Sequence, residues 1–248
     1  MSRQSRAVME TFYPESRFGG FTRLDGTLAF YARAQALARP DAVVIDFGCG
    51  RGAYASDPLP LRRDARIFKG KVQRVIGLDA SDSATENPFL DEFHRLESTH
   101  WPLPDALADL VICDNVLEHL PEPGAFFAEA RRVLKQGGNL CIRTPNRWNY
   151  IALLSRLAPN RSHSQMLARA KPGLEEQDIF PTFYRCNTLS AIRHALAEHG
   201  FDGVVYGYEA EPSYLSFSRA AYALGVLHQK LAPGIFRAAI FAYAQKIG

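Results

Sequence analysis

The run Asp46-Phe47-Gly48-Cys49-Gly50-Arg51-Gly52 sets an acid two residues ahead of three alternating glycines. Glycines let a backbone turn sharply and approach a ligand with no Cβ in the way. Asp79 closes a second apolar run, 29 residues after Gly50. A carboxylate at a strand tip accepts two hydrogen bonds from the vicinal hydroxyls of a ribose. Asp46 lies inside an apolar run, where a carboxylate is awkward unless it meets backbone N–H groups of the turn or a cation. A positively charged ligand explains that acid better than an anionic dinucleotide does. The spacing is G-x-G-x-G, not the G-x-G-x-x-G of dinucleotide binders, and the second acid stands beyond their roughly 20 residues. A nicotinamide-dependent oxidoreductase or epimerase is therefore the poorer reading, and no Tyr-x-x-x-Lys relay supports it.

Strands must hold these residues at their tips. Val43-Val44-Ile45-Asp46-Phe47, Val75-Ile76-Gly77-Leu78, Leu110-Val111-Ile112-Cys113 and Leu140-Cys141-Ile142-Arg143 are short, near-continuous apolar runs. Burial of such runs on both sides is what a parallel sheet covered by helices requires. Phe126, Phe127, Ala130, Val133 and Leu134 make one stripe and predict a helix from about Pro123 to Lys135, with Gly137 as its stop. A second helix is predicted from about Thr188 to His199, stopped by Gly200, and a strand from Gly203 to Tyr208. Tyr214 to Leu231 reads as a helix broken by Pro233-Gly234, and Phe236 to Gln245 as a strand or another helix. The aromatic-rich first forty residues read as helices packed over the sheet or over a ligand. Asp57-Pro58-Leu59-Pro60 forbids a long helix after the glycines. The cations that follow (Arg62, Arg63, Arg66, Lys69, Lys71, Arg74) read as a solvated loop or as a basic flap over the site.

With 47% hydrophobic and 22% charged residues in 248, the composition excludes disorder, collagen-like repetition and coiled coil. The longest uncharged stretch, Ala220 to Gln229, is too short for a membrane span. The polar N-terminus carries no readable secretory signal. Cys49, Cys113, Cys141 and Cys186 are too widely spaced for a metal knuckle and read as small buried thiols, which points to the cytoplasm and to no metal. The net charge of +3 is mild, but its distribution is not even. Arg143 to Leu174 holds six cations and Pro212 to the C-terminus four, with no Asp or Glu in either. An anionic substrate, or peripheral contact of the C-terminal segment with an anionic membrane, would suit them.

VVIDFGCGRGAY (43–54) followed by VIGLDAS (75–81) resembles the opening motifs of class I S-adenosylmethionine-dependent methyltransferases. WPLPDALADLVICDNVLEHLPEP (101–123) is similar to the family's segment leading into strand four, and RRVLKQGGNLCIRTPN (131–146) to its following helix and strand. The resemblance implies an α/β, Rossmann-like, doubly wound fold: a mostly parallel seven-stranded sheet, helices on both faces and an antiparallel C-terminal strand. It implies one domain over 1–248, with a helical cap (1–40), a cofactor-binding half (41–145) and a substrate-side segment (146–248). S-adenosyl-L-methionine is the implied cofactor. Gly48, Cys49 and Gly50 would pass beneath its methionine end, with Asp46 holding the loop and the charged amine. Asp79 would hold the ribose hydroxyls, with Ala80 against the adenine. Glu97, followed by Ser98, stands where the family usually has an Asp contacting the adenine amine. Asp114 and Asn115 would line the sulfonium and the substrate entrance.

A hydroxyl or amine acceptor is helped by a general base of near-neutral pKa, a role suited to histidine. His119, in Leu117-Glu118-His119-Leu120, is a candidate base, though a loop-fixing role is the stronger reading; His163 is poorer. His94, His100, His194, His199 and His228 read as structural or exposed. Trp148, Tyr150, Phe180, Phe183 and Tyr184 interleave with Arg147, Arg156, Arg161 and Arg185, which suits a sugar ring, an aromatic ring or a phosphate-bearing carrier. The expected activity is methyl transfer to a small or carrier-linked metabolite, a saccharide among the candidates. A non-catalytic cofactor-binding or membrane-surface module is the alternative. No nucleic-acid-binding motif is present.

Overall fold

Seven strands form one mixed sheet among the described residues, 3–149 and 181–248 of a computed structural model. They are β1 (Val43–Phe47), β2 (Arg74–Asp79), β3 (Glu92–Arg95), β4 (Ala108–Asp114), β5 (Leu134–Pro145), β6 (Phe201–Tyr208) and β7 (Ala239–Lys246). Their order is β3-β2-β1-β4-β5-β7-β6, and only β7 runs against its neighbours. The expected fold class is the observed one. The C-terminal stretch left open between strand and helix is β7, drawn into the gap between β5 and β6.

The helices are α1 (Arg3–Phe12), α2 (Gly26–Leu37), α3 (Pro60–Ala65), α4 (Pro123–Val133), α5 (Leu189–Glu198) and α6 (Arg219–Leu231). α4 and α5 cover one face, where Phe126, Phe127, Ile192 and Leu196 meet Ile45, Val111 and Ile142. α2 covers the other, packing Phe30, Tyr31 and Ala34 over Val44, Leu110, Ile112 and Phe241. Asp25 fixes the start of α2 by accepting from the Thr27 and Leu28 amides. α1 lies on α6 through Met9, Tyr13, Tyr222 and Val226, not over the sheet. Truncating a side chain as buried as Phe127 costs about 3–5 kcal/mol, which is the scale on which these layers are held.

Four expectations need correction. α4 stops at Val133, two residues before the predicted end, because Leu134 pairs with Ala108 and starts β5. Gly137 is needed at φ +76°, yet for a bend inside β5 and not as a helix stop. The helix predicted from Tyr214 begins at Arg219, where Ser218 accepts from the Ala221 amide; a single 3-10 turn (Ser213–Leu215) precedes it. The basic run is exposed at Lys69 and Lys71, turns Arg66 toward the rings of Tyr31 and Tyr54, and is tied down along its length. Arg62 pairs with Asp57 (2.6 Å) and Asp25 (3.2 Å), Lys69 donates to the carbonyls of Pro88 and Leu90, and Arg74 pairs with Glu92.

Candidate functional site

Parallel register decides which side chains meet. Asp46 pairs with Gly77 on one side and Ile112 on the other, so Asp79 and Asp114, two residues farther on, project from the same face as Asp46. Arg143 pairs with Asp114 and joins them. Three carboxylates and one guanidinium thus gather at adjacent strand tips, on the face covered by α2.

The glycine turn follows at once. Gly48, Gly50 and Gly52 have φ of +71°, +52° and +73°. A Cβ at Gly48 would strike the Val116 side chain, and one at Gly52 would come within 2.8 Å of Asn87 Oδ1, whereas one at Gly50 would meet open space. The backbone at Gly50 is therefore bare toward that space. The Asp79 carboxylate accepts from the Gly50 amide (2.9 Å) and the Ser81 amide (2.8 Å), tying the turn to β2. An ionised carboxylate has about four acceptor positions, so two stay available. Buried Asn87 props the turn from below, its Nδ2 donating to the carbonyls of Cys49 and Gly50. Sequence reading missed Asn87; its only signal was an amide ahead of Pro88. Cys49 is buried, and burial pushes its thiol well up.

The two inner acids differ. Asp46 accepts no hydrogen bond from a described residue; burial, then the charges of Asp114 and Asp79, push it up to about 7. Burial acts on Asp114 too, but Arg143 outweighs it and holds the carboxyl below its ordinary range. Arg143 Nε and Nη2 each lie 2.5 Å from an Asp114 oxygen, and the Tyr31 hydroxyl donates to Oδ2 at 2.9 Å. Asp114 is thus engaged by protein groups, and neither Arg143 nor Tyr31 was singled out in the sequence for this. Asn115 has φ +56°, donates through Nδ2 to Asp114 Oδ1, and is exposed. Arg66 reaches the same face. Its guanidinium stands 6.0 Å from the Tyr31 ring centre and 5.6 Å from that of Tyr54, with a buried Nε that has no hydrogen-bond partner among the described residues.

The remaining candidates lie farther out. Ala80, Glu97 and Ser98 are exposed beyond the tips of β2 and β3, and Ser98 Oγ accepts from the His100 amide. His119 Nδ1 is 2.9 Å from the Pro181 carbonyl oxygen, and Nε2 is 3.9 Å from Glu118. Glu118 is buried and accepts from Thr144, which in turn accepts from Asn187. This network, also missed, anchors the turn after β4 to the chain entering α5. His163, Tyr150, Arg156, Arg161, Arg169, Lys171 and Phe180 lie outside the described residues. Beyond the tip of β5 is a cleft of about 430 Å³ lined by Trp148, Thr188, Leu189, Ser190, Arg193, Ile235 and Phe236.

A family profile described as a methyltransferase domain matches residues 21–206. A probable S-adenosylmethionine-dependent methyltransferase of Mycolicibacterium smegmatis is 37% identical over 109 residues, covering 42% of this chain and 38% of that protein. The chain spans less than half the length of that relative. A ubiquinone biosynthesis O-methyltransferase of Caulobacter vibrioides is 26% identical over 160 residues, 59% of this chain and 62% of that one. The crystal structure of an S-adenosylmethionine-dependent methyltransferase from Archaeoglobus fulgidus superposes with a TM-score of 0.54 over 95% of this chain and 99% of that one, at 19% identity, which speaks to the fold alone. No helix among the described residues is long and apolar enough to cross a membrane. With the profile spanning about three quarters of its length, the chain belongs to the class I S-adenosylmethionine-dependent methyltransferase family.

Proposed function

We propose that this chain transfers a methyl group from S-adenosyl-L-methionine to a small or carrier-linked metabolite, with saccharides among the acceptors. The observation that carries the reading is Asp46, a half-buried carboxylate without a hydrogen bond from a described residue, beside a glycine turn open toward ligand space. That donor set fits a cationic cofactor with ribose hydroxyls. Bound, the cofactor supplies a sulfonium-activated methyl that leaves by in-line displacement. Asp46 answers its ammonium, Asp79 takes the hydroxyls with its two remaining acceptor positions, and the orphaned Arg66 Nε suits its carboxylate. Gly48, Cys49 and Gly50 pass beneath it, Ala80 and the Glu97-Ser98 pair flank the adenine, and Asn115 borders the entrance. Positioning and exclusion of water supply the acceleration, with no covalent enzyme intermediate.

We propose the cleft at Trp148 for the acceptor. Trp148 and Phe236 offer flat apolar walls, and Thr188, Ser190 and Arg193 offer polar groups, a mixture suited to a ring that carries hydroxyls. An oxygen acceptor accords with the O-methyltransferase relative. The four cysteines are free and buried, which supports the cytoplasm as the working compartment. Peripheral contact with an anionic membrane is also proposed, on the absence of carboxylates from Pro212 onward.

Thermal-shift titration tests the cofactor. S-adenosylhomocysteine raises Tm and NAD does not; the reverse result ends the proposal. Asp79→Ala lowers S-adenosylhomocysteine affinity by roughly 10–100-fold in calorimetry, as loss of hydrogen bonds to a charged group requires. Unchanged affinity refutes the ribose role. Metabolite mass spectrometry, with and without the protein, then identifies the acceptor by a partner one methylene heavier.

A further inference from the structure

Helix α6 is apolar on two opposite sides. Tyr222, Gly225 and Val226 are buried on the inner one, against Met9 and Tyr13 of the N-terminal segment. Leu224, Leu227 and Leu231 recur at i, i+3 and i+7 on the outer one, and they are 68%, 52% and 71% exposed. A helix at the surface of a water-soluble fold shows polar residues there. Phe217, 69% exposed, precedes the helix, and Ile235 and Phe236 follow it, both exposed as well. Side chains of this size on one continuous segment mark a contact surface, not scattered exposure.

Charge selects the occupant. Pro212 to the C-terminus contains Arg219, Lys230, Arg237 and Lys246 and no carboxylate. Arg219 and Lys230 lie three turns apart on one flank of the leucine stripe, both exposed, with no ion pair to a described residue. A second copy docking through the same face would set these cations against their own equivalents, with no acid in the segment to answer them. An anionic bilayer meets both needs, headgroups for the cations and acyl chains for the leucines.

We propose that α6 lies in the plane of an anionic membrane with Leu224, Leu227, Leu231 and Phe217 inserted below the headgroups, and Arg219 and Lys230 level with them. The proposal rests on the membrane contact proposed above and adds insertion to it. Ile235 and Phe236 also wall the Trp148 cleft, so a chain seated in this way holds that cleft beside the lipid.

Flotation with vesicles of phosphatidylglycerol and phosphatidylcholine, and with phosphatidylcholine alone, tests both levels. The whole chain floats with the anionic vesicles, and a Phe217→Trp reporter shifts its emission to the blue on them. L224S/L227S/L231S lowers the bound fraction about tenfold while Tm and S-adenosylhomocysteine affinity stay unchanged. A triple variant that floats like the parent, with binding abolished by salt alone, overturns insertion and leaves the contact electrostatic. A parent chain that fails to float while S-adenosylhomocysteine still raises its Tm overturns the contact itself and leaves the methyltransferase reading standing. Concentration-dependent dimerisation in sedimentation, abolished by the triple variant, assigns the face to a second copy and also overturns the proposal.

Discussion

Asp46, near the tip of β1, and Asp114, at the tip of β4, are neighbours on one face of the sheet, yet their carboxylates are shifted in opposite directions. Asp114 is clasped by Arg143 and Tyr31 and held ionised. Asp46 has burial and two nearby acids but no hydrogen-bond donor among the described residues, and it is pushed up to about 7. Burial is common to both, so a partner and not depth decides the charge. One tip is a strut that joins α2, β4 and β5. The other has no hydrogen-bond donor among the described residues, the gap that the proposed cofactor would fill.

The largest expected effect tests the strut. Arg143→Leu leaves Asp114 largely buried without its ion-pair partner, which destabilises the fold by about 3–5 kcal/mol in urea unfolding. Pairing it with Asp114→Leu recovers most of that loss. A single-variant change below about 1 kcal/mol, the level of an exposed ion pair, would put both tips in the same class and end the contrast.

Asp46 carries the next effect, with the opposite sign. Its folded value lies above its ordinary 3.8, so between that value and about 7 the folded chain holds a proton that the unfolded chain has released. Stability therefore falls as pH rises through that window and levels off above it. Asp46→Asn removes the slope and stabilises the protein at pH 8 by at most on the order of 4 kcal/mol, from just over three units at about 1.4 kcal/mol each. The same charge is what the cofactor's ammonium needs. Affinity for S-adenosylhomocysteine then rises about tenfold from pH 6 to pH 8 in the parent and stays flat in Asp46→Asn. A parent whose stability is level from pH 4 to pH 7 contradicts the assignment.

That pair of acids also marks how far the sequence could be read. Asp46, Asp79 and the glycines stand beside the strands that position them, and the apolar runs of β1, β2 and β4 are continuous enough to be placed without tertiary information. The fate of Asp114 was hidden because its partners are 29 residues later and 83 residues earlier. Only the strand register and the seating of α2 bring them together. The cations from Arg62 to Arg74 misled for the same reason: a run of charge in sequence says nothing about carbonyls such as those of Pro88 and Leu90 that fold back to meet it. Asn87 and Glu118 escaped because one buried polar residue in a loop looks like any exposed one until its donors and acceptors are known. The early stop of α4 follows from the pairing of Leu134 with Ala108, a long-range bond that local periodicity cannot register.

The smallest effect concerns the turn just past Asp114. The Pro181 carbonyl can only accept, so His119 Nδ1 carries the hydrogen and is committed to holding the chain that enters α5. The turn therefore extends the strut of β4 and not the open site of β1. His119→Gln is expected to lower kcat less than about threefold and stability by about 1 kcal/mol, the scale of one hydrogen bond. A general base would behave differently, since its loss lowers kcat by about 10²–10⁴ and removes an ionisation from the pH–rate profile. Should the variant show that pattern while its Tm stays level, His119 moves from the structural side of the contrast to the reactive one.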